Sequence, residues 1–68
     1  MILSLDPFFV LRDRAYELAD SGRYKHWEQV AHALKGEGFL IALITRLNAD
    51  RLAVMMITRS CALARVAV

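Results

Sequence analysis

Cysteine is almost missing from this sequence of 68 residues: Cys61 stands alone. A disulfide within the chain is therefore excluded. A lone thiol in a chain without covalent staples reads as a reduced intracellular protein. Long apolar runs are missing as well. The longest uncharged stretch of the second half, Gly38 to Thr45, falls far short of the ~20 residues a spanning helix needs. Arg46, Asp50, Arg51, Arg59 and Arg65 interrupt everything beyond it. The opening "MILSLDPFF" has no basic residue and meets Asp6 and Pro7 almost at once, unlike a signal peptide. The expectation is a soluble cytoplasmic protein with no membrane partner.

Sites for chemistry are equally sparse. His26 and His32 lie six apart, so the two histidines at i and i+4 of a zinc-protease helix are not formed. With Cys61 they make no recognised ligand spacing, and neither a metal nor any other cofactor is expected. Glu28 and His32 do sit at i, i+4, which suits a surface ion pair. No Ser-His-Asp set has a signature context, and there is no phosphate-binding loop. Cys61 belongs to an apolar seam, where a thiol behaves as a small hydrophobe. No catalytic residue is assigned, and an enzyme is not expected.

What the chain has in abundance is apolar side chains. It is 57% hydrophobic, and 29 of its residues are Val, Ile, Leu, Met, Phe, Tyr, Trp or Cys. A single domain of this length, residues 1–68, buries only about 60% of the surface its unfolded form exposes. Such a small core commonly needs a disulfide, a metal or a partner chain. With the first two set aside, the expectation is a partner, most simply a second copy in a homodimer. An unidentified protein partner is the alternative.

Periodicity points to an all-α fold, a small bundle of three to four helices with the last the longest. "DPFFVLRDRAYELADSG" opens with Asp6 as a cap and Pro7 at the first helical position, where its missing N–H costs nothing. Phe8, Leu11, Ala15 and Leu18 recur at the spacing of one helix face, and Gly22 suits a helix end. A second helix runs from about Lys25 to Glu37, with Trp27, Val30, Ala31 and Leu34 as its buried stripe. Gly38 followed by Phe39 suits a Schellman ending, Phe39 folding back against Leu34. "FLIALITRLN" predicts a short third helix that is apolar, and hence buried, on nearly every side. Only Ala42, Thr45 and Arg46 are left to face water.

The last helix, capped by Asp50 or Asn48, runs to about Val66. It carries two seams. Val54, Ile57, Cys61, Ala64 and Val68 form one without a charge, the better candidate for packing inside the monomer. Leu52, Met55, Met56, Leu63 and Val66 form the other, with Arg59 at its centre, and this is the expected partner or dimer interface. Arg59 then meets an acidic residue of the other chain, as polar core residues fix register in coiled coils. Two alternatives stand beside that reading: a snorkelling side chain with its head in water, and an anion site.

Charge is divided unevenly. Residues 1–37 hold five basic and six acidic side chains, and residues 38–68 hold four arginines and one acid. Two helices joined through Gly38 invite a degenerate helix-turn-helix reading, with Arg46, Arg51, Arg59 and Arg65 as phosphate contacts. A recognition helix must offer polar side chains to base edges, and residues 39–47 offer only Thr45 and Arg46, with Asn48 just beyond. A nucleic-acid-binding regulator is accordingly the second functional expectation. Arg23, Tyr24 and Lys25, in "SGRYKHW", are the third candidate, an exposed aromatic-basic contact cluster. The first expectation is a small binding or regulatory adaptor that acts through a helical surface.

The stretch "RAYELADSGRYKHWEQVAHALKGEGF", with "LITRLN" and "LAVMMITRSC", resembles a group of short uncharacterised helical proteins of alpha-proteobacteria. The likeness runs from about Leu5 to Arg65. It implies a bacterial cytoplasmic setting and carries over no activity, cofactor or functional residue.

Overall fold

Four helices follow one another with short connections in the computed structural model, which describes residues 6–66. Helix α1 spans Pro7–Asp20. The Asp6 carboxylate accepts the Phe8 N–H at 2.9 Å, satisfying one of the free donors of the first turn. At the other end the Ser21 hydroxyl donates to the Leu18 carbonyl at 2.6 Å. Gly22 then takes φ 79°, which turns the chain toward the next element.

Helix α2 covers Trp27–Gly36, two residues shorter at its start than the apolar pattern suggests. Lys25 lies outside because its backbone N–H donates to the Gln29 Oε1 at 2.7 Å instead of entering the helical ladder. The Schellman ending forms as expected. Gly38, at φ 95°, donates to Lys35 O, and the Phe39 N–H donates to Leu34 O at 3.2 Å.

Helix α3 spans Ile41–Asn48 and helix α4 spans Arg51–Val66, the longest of the four. Asp50 caps α4, its Oδ1 accepting the Ala53 N–H at 3.1 Å. Asn48, the other candidate cap, has a different task. Its Oδ1 accepts the Trp27 indole N–H at 2.7 Å, tying the start of α2 to the end of α3.

One core joins the four helices. It contains Phe8, Leu11, Ala15, Leu18 and Ala19 from α1, Trp27, Val30 and Leu34 from α2, Leu47 from α3, and Ala53, Ile57 and Cys61 from α4. The uncharged seam of α4 therefore faces inward at Ile57 and Cys61, with Val54 and Ala64 half-buried beside them. Its last expected member, Val68, lies outside the described residues. Ala53, absent from the predicted seam, is buried through its place one turn before Ile57.

The expectation for α3 is corrected. Only Leu47 is buried; Leu43 and Ile44 are half-buried, and Leu40 and Ile41 are exposed. Its neighbours cover one edge of this two-turn helix, and the described residues supply no further element to cover the rest. Ala31 of α2 is likewise half-buried, at the margin of its stripe. No helix of the described residues is long and apolar enough to cross a membrane.

An ion pair crosses the bundle surface. The Arg14 guanidinium meets the Glu37 carboxylate through Nε–Oε1 at 2.9 Å and Nη2–Oε2 at 2.8 Å, and Nη1 reaches Glu17 at 3.3 Å. This two-pronged geometry joins α1 to the C-terminal end of α2. The hydrogen bonds from Arg14 hold the Glu37 carboxyl below its ordinary range, and the two carboxylates hold Arg14 above its own.

Candidate interaction surface

Successive residues of an α-helix advance by about 100° around its axis. Around α4 the order is then Met55, Val66, Arg59, Leu52, Leu63 and Met56, all within an arc of about 100°. Every one of the six is exposed. Leu52, Leu63 and Met55 show 65%, 59% and 59% of their surface to solvent, and Val66 shows 83%. The arc lies nearly opposite the buried Ala53, Ile57 and Cys61. It is a continuous apolar stripe about 21 Å long, broken by one charge at its centre.

That charge, Arg59, has no ion-pair partner among the described residues. Helix α4 holds no acidic residue from Arg51 to Val66. Within the helix, then, nothing neutralises the stripe.

The other arginines do not gather around it. Arg51 and Arg65 lie on the far flank of α4, roughly 80° and 120° around the axis from Arg59. The guanidinium of Arg46, at the end of α3, sits over the Phe8 ring, 4.1 Å from its centroid. Cations divided between two flanks of α4 and the end of α3 do not gather into a single phosphate track. The first turn of α3, which a helix-turn-helix would present to base edges, instead exposes Leu40 and Ile41. Asn48 is engaged by Trp27.

The third candidate, Arg23, Tyr24 and Lys25, is divided. Arg23 and Tyr24 line an open depression of about 570 Å³ together with Glu28, Gln29, His32 and Ala33, and Lys25 is outside it. The Arg23 guanidinium lies 5.9 Å from the Tyr24 ring centroid. Tyr24 is half-buried against the core, so its ring is less available than the sequence suggests; Phe9 is the more exposed aromatic. Glu28 pairs with His26 at 2.9 Å, not with His32. The depression holds one cation and one carboxylate in an open bowl, with no buried polar group aimed into it.

No three His, Cys, Asp or Glu side chains converge on a metal-sized site among the described residues. Cys61 is buried, and desolvation, followed by the charge of Asp20, pushes its thiol pKa up. A thiol so placed is held protonated and is a poor nucleophile.

Sequence reasoning separated the two seams of α4, because their apolar residues fall on opposite sides of one helix. It missed the exposure of Leu40 and Ile41, which depends on which neighbours pack against α3. Comparison with known proteins gives no match to a family model, a curated protein or a solved structure.

Proposed function

We propose that this chain is a small, non-enzymatic bacterial adaptor of the cytoplasm that works through the outward face of α4, and that a second copy of the chain covers that face. The observation that carries the reading is the stripe of Leu52, Met55, Met56, Leu63 and Val66, exposed around Arg59. Contiguous exposed apolar surface of this kind usually marks an interaction site. A second copy fits the size of the chain, since a core of this size commonly needs a partner where no disulfide can form. The single buried thiol fits a reducing compartment.

The alternative, a nucleic-acid-binding regulator, draws less support. It requires Arg46, Arg51, Arg59 and Arg65 to act together and α3 to read bases, and the geometry described above favours neither. Binding to a DNA duplex at low salt, weakening steeply as salt rises, is the behaviour that reading requires.

The test is the solution molar mass, by light scattering on a sizing column, of the natural chain and of Leu63→Asp. The proposal expects about twice 7.7 kDa for the natural chain at high concentration and the monomer mass for the variant. A monomer at every concentration overturns it.

A further inference from the structure

The outward face of α1 is the chemical complement of the α4 stripe, and we infer that it is the surface of the second copy that α4 meets. The inference rests on the self-association proposed above and names the pairing within it. The exposed residues of α1 are Pro7, Phe9, Val10, Asp13, Glu17 and Asp20. The last five fall within about 100° of the helix surface. Two are apolar, with Phe9 half exposed, and three are acids. Asp13 and Asp20 have no ion-pair partner among the described residues, and Glu17 keeps only its 3.3 Å contact with Arg14. The α4 stripe supplies apolar groups and Arg59, with Arg51 and Arg65 on the flank of the helix and no acid from Arg51 to Val66.

The other symmetric arrangement, α4 against α4, is opposed by charge. Arg59 sits within one residue of the midpoint of Arg51–Val66. A two-fold axis across the middle of the α4 stripe therefore brings Arg59 against its own copy, with no acid in either helix to separate the two charges. Juxtaposed like charges strongly disfavour an interface. Pairing α4 with the partner's α1 removes the conflict. In the two-fold pairing we infer, α1 meets the partner's α4 in turn and the patch is formed twice. Asp13 and Asp20 are about 10 Å apart along α1, and Arg59 and Arg51 about 12 Å apart along α4, with Arg51 about 80° further around the helix at the edge of the contact.

The experiment is sedimentation equilibrium on four samples: the natural chain, Arg51→Glu/Arg59→Glu, Asp13→Lys/Asp20→Lys, and an equimolar mixture of the two variants. All four positions are exposed, and circular dichroism confirms that each variant keeps its helices. Each variant alone is expected to associate at least about tenfold more weakly than the natural chain. The mixture is expected to recover the dimer, because one patch is charge-swapped and the other is natural. Association of the natural chain is expected to weaken as salt rises. If Asp13→Lys/Asp20→Lys dimerises like the natural chain while Leu63→Asp does not, the α1 pairing is overturned and the α4 reading survives. Association that tightens with salt also overturns it, in favour of α4 on α4. A natural chain that stays monomeric removes both.

Discussion

Ile57 and Leu63 are aliphatic residues six positions apart on one helix, and the fold assigns them opposite environments: Ile57 is fully buried and Leu63 is 59% exposed. Replacing Ile57 by alanine removes buried methyl and methylene groups from the point where α4 meets the core, at a cost of about 2–5 kcal/mol. A chain of this length holds roughly 3–10 kcal/mol of folding stability in total. Ile57→Ala therefore removes a large share of the stability, whereas Ile57→Val, at about 0.5–1.5 kcal/mol, is the milder change to measure. In the isolated monomer Leu63→Ala changes stability by no more than about 0.5 kcal/mol, because solvent already reaches most of the side chain. In the proposed dimer the exposed part of Leu63 is covered, which is worth about 1–2 kcal/mol per copy. The two copies together weaken the dimer by a factor of about 30 to several hundred. Urea unfolding followed by circular dichroism, at low micromolar and at several hundred micromolar protein, separates these effects. The expected result is that Ile57→Val shifts the midpoint at both concentrations and Leu63→Ala only at the higher one. A Leu63→Ala shift as large as that of Ile57→Val at the lower concentration refutes the assignment of the two seams.

Three further outcomes follow from the local geometry. An alanine Cβ at Gly36 meets nothing within 4 Å, so Gly36→Ala raises stability by about 1 kcal/mol; Gly38→Ala, at φ 95°, lowers it by about 1 kcal/mol. Glu37 has a folded-state pKa below its ordinary value of 4.5, so its link to Arg14 stabilises the fold above that value and is lost as pH falls through and below it. Thermal unfolding of Glu37→Gln should therefore depend less on pH between roughly 5 and 3 than that of the natural chain. The effect is small, because the pair is solvent-exposed. Cys61 should resist alkylation by iodoacetamide in the folded protein and react readily in urea, since burial both covers the thiol and keeps it protonated; equal rates in the two conditions contradict the inward orientation of the seam.

Much of the fold was legible because local signals agreed with one another. Asp6 and Pro7 start α1, Gly38 and Phe39 end α2, and the 3.6-residue spacing of Phe8, Leu11, Ala15 and Leu18 marks the buried face. The features that escaped the sequence are those that join distant positions. Arg14 and Glu37 are 23 residues apart, and Trp27 and Asn48 are 21 apart. Many other charged and polar residues had equal claims to those contacts until the helices were packed. The environment of α3 was misread for a related reason. A helix apolar all round is buried only if neighbours exist on all sides, and periodicity cannot count neighbours. For the interaction surface, the two seams of α4 could be separated in the sequence. Their orientations, one on the core and one toward solvent, required the other three helices.

The proposed cover of the outward face of α4 is a second copy of the chain. Met55 and Met56 place two methyl groups at the two edges of that face, which makes methyl NMR on a methionine-labelled sample the most direct measurement. Across a dilution series both resonances are expected to move with concentration, in step with the rise in molar mass toward twice 7.7 kDa. Met55 and Met56 methyls that stay fixed while the mass doubles would show that the copies meet elsewhere, and the claim for α4 would be wrong.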